Sequence, residues 1–348
     1  RNRREPTQTG PDLYANSRIY PGYCVSACTL AFLGGASRHV EEGATYAVHQ
    51  VSMNCRDKGK ARNIVATYDC TRAGPLEQGP GNDVHGHGTH VAGIIAGQLT
   101  IGDRALVGMA PESGLHIYKV LDDVGQGKDS WIIKALDHIA RTNEEAGNIV
   151  IHGVNLSLGG PFDRSAYACG HSPLCRELRR LWRQGVLVVI AAGNEGYTLL
   201  ETESGEIQAN MPLTIGDPAN LEEAIVVGSV HKESPHIYGG SYFSSRGPTA
   251  DGRQKPDLVA PGERILSCRN KPLGRKQSVE ELYVEMSGTS MAAPHVSGQL
   301  AAFLSIHSEF IGYPDKVKEK LLESCTDLNR ERTQQGAGLP RVLGSRLS

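Results

Sequence analysis

Residues 149–158 read IVIHGVNLSL and residues 186–192 read VLVVIAA. Both are near-continuous apolar runs of strand length, without the polar alternation of a half-solvated strand, so both imply strands covered on two faces. Between them, Ser172-Pro173 supplies an N-cap and a first-turn proline for a helix that stops at Gly185. Upstream, Leu115 to Leu121 reads as a strand and Asp129 to Ala146 as a helix with Ile132, Leu136, Ile139 and Ala140 on one face. Further upstream, a strand at Asn63 to Tyr68, a Gly/Pro-rich loop from Gly74 to Gly81 and a small-residue helix at His87 to Gly97 are expected. Downstream come strands at Ala224 to Val230 and Asp257 to Ala260, a helix from Ser290 and a last helix near Asp315 to Cys325. Strands alternating with helices imply an α/β fold, a mostly parallel sheet with helices on both faces. In such sheets the chemistry sits at the carboxyl ends of the strands. Tyr197 to Asn220 interrupts the series, and its ETESGEIQAN centre reads as a surface hairpin or loop.

The chain has 348 residues, 39% hydrophobic and 21% charged, a globular composition with enough apolar material for a sizeable core. A formal charge of -2 from dispersed charges gives no electrostatic reason to expect nucleic acid or acidic membranes as partners. No apolar stretch reaches the roughly 18 residues of a membrane span, and no signal-like apolar core follows Arg1 to Arg4. The chain therefore reads as soluble, and its compartment, secreted, cell-envelope or other, stays open. Eight cysteines are too sparse for a disulfide scaffold. Only Cys169 and Cys175 sit in one short loop, where a local bridge is one option; free thiols are the other reading, as for Cys28, Cys268 and Cys325.

Three stretches carry candidate chemistry: GHGTHVAG at 86–93, AAGNEG at 191–196 and SGTSMAAPHVSG at 287–298. Taken alone, the last reads first as a helix N-cap and only second as a nucleophile, because Ser or Thr before an apolar helical run is an ordinary cap. Together and in this order, the three resemble the subtilisin-like serine proteases over roughly residues 60–340. The resemblance implies a three-layer subtilisin-like fold and an endopeptidase acting through an acyl-enzyme on protein or peptide substrates. It makes Ser290 the nucleophile, His87 the base that takes its proton, and Asn194 the side-chain donor of the oxyanion hole. It further implies that an extended peptide adds as a strand between Ser157-Leu158-Gly159-Gly160 and Gly125-Gln126-Gly127, with Glu195 near the pocket for the main specificity side chain. No cofactor is needed for this chemistry. A structural calcium ion follows from the resemblance without an identifiable ligand set.

Other readings of the same residues stay open. His85, His87 and His90 have spacings that can converge on zinc, although no Cys or carboxylate series completes a site. His90 also reads as a packed helix residue, and Asn194 as a turn former. His295 follows Ser290 on the same helix and is a poor base candidate. An α/β-hydrolase elbow requires its His after the Ser and a second glycine that is absent here.

The first 55 residues differ from the rest, which suggests a lead-in and helix-strand fragment at 1–55, able to supply a sheet strand, and a peptidase domain at 56–348. Here an apolar run from Ala27 to Leu33 reads as a helix ending at Gly34-Gly35, and Thr45 to Val48 as a strand ending at His49. This piece resembles a short fragment of periplasmic relatives of the Clp protease subunit, with Ser26 and His49 standing where that family has Ser and His. The subtilisin-like pattern, by contrast, expects an Asp-Thr-Gly or Asp-Ser-Gly at a strand end upstream of His87. After Val48 the chain instead reads His49-Gln50-Val51. Asp57 is the nearest carboxylate, in a polar segment, while Asp69 and Asp83 lie beyond the motif's position. The expectation is weak or no peptidase activity unless Asp57 loops into place, and the rival reading is a pseudoprotease that binds extended peptides without cleaving them.

Overall fold

The structure is a computed structural model that describes residues 64–79, 82–101, 104–202, 205–270 and 282–341, together with the strand backbone of Cys24–Val25, Cys28–Phe32 and Thr45–Val48. Eight strands form the main sheet: β1 (Cys28–Phe32), β2 (Thr45–Val48), β3 (Ile64–Asp69), β4 (Gly114–Lys119), β5 (Ile151–Ser157), β6 (Leu187–Ala191), β7 (Ile225–Val230) and β8 (Leu258–Pro261). Their order is β8-β7-β6-β5-β1-β4-β2, with β3 paired to β4 and a further pairing between β5 and β2. All the pairings are parallel except those of β1, which runs antiparallel to β4 and β5.

The expected helix at Ala27 to Leu33 is therefore corrected: Cys28–Phe32 is a strand. A short apolar run has no decisive periodicity, and pairing on both sides satisfies its backbone as a helix of about two turns would not. The other elements lie close to their expected places. The strands at 149–158 and 186–192 appear as β5 and β6, every residue of which is buried. The 197–220 interruption contains a hairpin, Tyr197–Thr202 paired antiparallel with Gly205–Asn210.

Five helices matter for the site: α1 (His87–Ala96), α2 (Asp129–Ala146), α3 (Pro173–Arg183), α4 (Thr289–Ile306) and α5 (Pro314–Glu323). α2 buries Ile132, Leu136, Ile139 and Ala140, its predicted apolar face, and ends at Gly147 with φ 68°, a left-handed cap that suits glycine. α3 starts as its sequence dictates, the Ser172 hydroxyl accepting from the Cys175 N–H with Pro173 in the first turn. α2 packs on α3 and α1 on α4, which gives the sheet its two helical layers. α4 lies across β5, β6, β7 and β8 through a nearly all-buried surface. Each fully buried Val, Leu or Ile in this interior contributes on the order of 1.5–3 kcal/mol of transfer free energy. Among the described residues, no helix is long and apolar enough to cross a membrane.

Candidate active site

β5 and β6 both point their carboxyl ends at the N-terminus of α4. β5 ends at Ser157, β6 runs through Ala191 toward Asn194, and α4 begins at Thr289 with Gly288 before it. Gly288 adopts φ 156° and ψ 160°, a conformation nearly reserved for glycine, and a Cβ there would stand 3.5 Å from Asn194 Nδ2. Asn194 is itself held: its Oδ1 accepts from the Thr289 N–H at 2.9 Å and from the Thr289 hydroxyl at 3.1 Å. With the oxygen committed, the Nδ2 end is the one left to face a ligand. Asn194 is exposed to solvent, whereas Ser290 is almost wholly buried.

Ser290 and Ser157 bond reciprocally. The Ser290 hydroxyl donates to the Ser157 carbonyl at 3.2 Å, and the Ser157 hydroxyl donates to the Ser290 carbonyl at 2.7 Å. The second bond has a cause in the sequence. Pro294 lies inside α4, four residues after Ser290, and lacks the N–H that would close the helical bond to the Ser290 carbonyl.

His87 is the first residue of α1 and is buried. Two carboxylate oxygens of Asp83 fix the backbone around it: Oδ1 accepts from the Gly86 N–H at 2.7 Å, and Oδ2 from the Thr89 N–H and hydroxyl at 2.8 and 2.6 Å. Gly86, with φ 92°, lies so near the Asn270 amide that a Cβ would meet it at 2.8 Å. α1 packs against α4, and a Cβ on Gly298 would be 3.4 Å from the Ile95 carbonyl, two points equally far along their helices from Ser290 and His87. Burial first, and then the imidazoles of His85 and His90, push the His87 pKa down to about 3. His87 is thus neutral at pH 7, in the form that can accept a proton.

The remaining sequence candidates have partners of their own. His90 Nε2 donates to the Ile265 and Val284 carbonyls at 2.9 and 3.0 Å, so that nitrogen is committed to backbone. Among the described residues, no group of three or more His, Cys, Asp or Glu is arranged to hold a metal ion. His295 Nδ1 donates to Met291 O at 2.8 Å, back along its own helix. Glu195 accepts from the Ser245 hydroxyl at 2.9 Å. Cys169 and Cys175 are free thiols, so the local bridge does not form.

Gly125, Gln126 and Gly127 lie in a turn anchored by Asp122, whose Oδ1 accepts from the Val124 and Gln126 N–H groups at 3.0 and 2.9 Å. A Cβ on Gly125 would stand 2.9 Å from the His85 ring, so this edge abuts the loop that leads to His87. Gln126–Gly127 pairs antiparallel with Cys24–Val25 of the same chain. In the 157–160 segment, Leu158 is buried and Gly160 exchanges backbone bonds with Asp217 at 2.8 and 3.1 Å.

Of the carboxylates weighed for the triad, Asp69 ends β3 and is bound to Arg72 at 2.9 Å and to the Thr71 hydroxyl at 2.6 Å. Asp83 is committed to the start of α1. Asp57, Ser26 and His49 lie outside the described residues. Sequence reading missed Asn155, Thr289, Pro294 and Ser297, which surround the nucleophile candidate without carrying reactive groups. The one legible signal was Pro294, a proline within a helical pattern four residues after a serine.

At the strand ends of this mostly parallel sheet stand a buried serine at the start of α4 and an exposed asparagine amide bonded to the same helix start, and His87 begins the helix that packs on α4. The Subtilase family (Peptidase_S8) matches residues 52–339, most of the chain, and the chain belongs to this family. It is 34% identical over 253 residues to serine protease AprX of Bacillus subtilis (strain 168), covering 70% of this chain and 53% of that protein, so it spans about half of AprX. It is 34% identical over 255 residues to subtilisin of Bacillus pumilus, covering 73% of this chain and 75% of that protein. Among solved structures, the S41 psychrophilic protease superposes with a TM-score of 0.64 at 26% identity, over 85% of this chain and 90% of that one.

Proposed function

We propose that this chain is a serine endopeptidase domain that hydrolyses peptide bonds through an acyl-enzyme. Ser290 attacks the carbonyl, His87 takes its proton and returns it to the leaving amine, and the Asn194 amide stabilises the oxyanion. The observation that carries this reading is the Asn194-Thr289-Ser290 junction, where a serine at a helix start is tied to an amide whose donor end is left for a ligand. To reach His87, the Ser290 hydroxyl rotates off the Ser157 carbonyl. A peptide binds as a strand between Gly125-Gln126-Gly127 and Ser157-Leu158-Gly159-Gly160, replacing Cys24–Val25 on the first edge. A fluorogenic peptide mixture tests the reading: the full chain cleaves it, and Ser290→Ala does not. Equal hydrolysis by the two proteins refutes the assignment.

A second reading is favoured by the state of His87. Its shift comes first from burial and then from the imidazoles of His85 and His90. A base pushed down to about 3 is a weak proton acceptor, and forming its imidazolium is costly in this setting. In this reading the domain binds extended peptides and turns them over slowly or not at all. Peptide binding without cleavage, and without covalent labelling of Ser290, would establish it.

A further inference from the structure

Pro294 leaves the Ser290 carbonyl without its helical donor, and what takes its place is a chain of buried side chains. The Ser157 hydroxyl donates to that carbonyl at 2.7 Å, the Asn155 amide donates to the Ser157 hydroxyl oxygen at 3.0 Å, and the Ser297 hydroxyl donates to Asn155 Oδ1 at 2.7 Å. Ser157, Asn155 and Ser297 are all fully buried. The chain therefore leaves α4 at residue 290, crosses β5 and returns to α4 at residue 297.

An apolar strand facing a helix needs none of these groups, and a strand buried on both faces is ordinarily Val, Ile and Leu. A buried amide and two buried hydroxyls are tolerated only when each finds its partners, as these do. We propose that Asn155 and the Ser157 hydroxyl are positioning residues for Ser290. They fix the carbonyl, and with it the backbone, of the residue whose hydroxyl reacts, at the point where the helix's own bonding is interrupted by Pro294. Asn155 sets the direction of the Ser157 hydroxyl, because its amide occupies one side of that oxygen and leaves the proton to point at Ser290. Ser297 in turn sets the orientation of the amide. The inference rests on the peptidase reading for its catalytic consequence, and on the hydrogen-bond geometry alone for its structural one.

The test uses the full chain as wild type, Ser157→Ala and Ser297→Ala, with two measurements. The first is saturation kinetics of Ser290 labelling by a fluorophosphonate. The second is residue-resolved amide hydrogen exchange along α4. In Ser157→Ala the maximal labelling rate is expected to fall about 10- to 100-fold, the scale of a misplaced reacting group, while the half-saturating probe concentration stays the same. Exchange at Thr289 and Met291 rises about 10-fold with no change at Leu300 to Leu304. Ser297→Ala produces the same pattern more weakly. Unchanged exchange at 289–291 in both variants overturns the proposal, as does a rise spread evenly along the helix, which marks loss of global stability. A wild type that never labels, yet shows the local exchange pattern in its variants, defeats the peptidase reading and leaves the positioning role standing.

Discussion

At the scale of single residues, the two members of the proposed reactive pair are unequal. Ser290 is held from two sides, by Ser157 and through Thr289 by Asn194, whereas His87 is buried with its pKa pushed down to about 3. A histidine that titrates near its usual value of about 6.5 would lose about 30-fold of its basic form at pH 5. With a pKa near 3, the basic form is undiminished there. Labelling of Ser290 is therefore expected to proceed at pH 5 at nearly the pH 7 rate, checked under conditions where circular dichroism shows the fold intact. An acid limb centred near pH 6.5 would show that a group beside His87 restores its basicity. The Asn194 amide predicts a second outcome: Asn194→Ala should lower kcat about 10²–10³-fold with little effect on KM, a magnitude taken from the same donor in subtilisin itself.

At the scale of elements, the two helices that present the pair begin in different ways, and both depend on polar groups that no hydrophobic pattern reports. α1 starts without a cap from its own Gly86, and Asp83 serves instead, from three residues upstream. Asp83→Ala should cost about 1–3 kcal/mol of stability, measured by urea unfolding, because it strands two buried N–H groups. β8 is anchored by a buried cluster in which Lys255 and Lys318 hold Asp257 at 2.5 and 3.0 Å. Asp257→Ala leaves two ammonium groups facing one another and should cost about 3–5 kcal/mol. The sequence showed α2 to the residue, because apolar spacing, a polar outer face and a terminal glycine agree there. It misread Cys28–Phe32, where pairing partners far along the chain decide the outcome. It was also silent on Asn155 and Ser297, because a buried hydrogen-bond chain is a property of two elements that meet only in the fold.

At the scale of the whole molecule, several buried histidines make stability depend on pH. Burial pushes His87 down to about 3 and His90, His116 and His152 to about 4. Their folded values lie below the unfolded value near 6.5, so their contribution is complete above that pH and is lost as pH falls from 6.5 toward 4. Asp83 acts in the opposite sense, since burial raises it and the folded state gains as it protonates. His138 and His295 are lowered by burial as well, and Glu195 is raised by it like Asp83, so six imidazoles against two carboxylates predict a urea midpoint that falls between pH 7 and pH 4, and a flat midpoint would contradict the burial of these rings.

The motifs of the site were legible in order and spacing, and the structure joins two of them directly at the Asn194-Thr289 contact. What no motif could report is whether a serine so placed has a working base. The most direct test is fluorophosphonate labelling of the full chain, read by mass spectrometry, beside His87→Ala. The expected result is a single adduct on Ser290 that disappears in His87→Ala. Labelling that persists undiminished in His87→Ala, or an adduct on a different serine, would contradict the account.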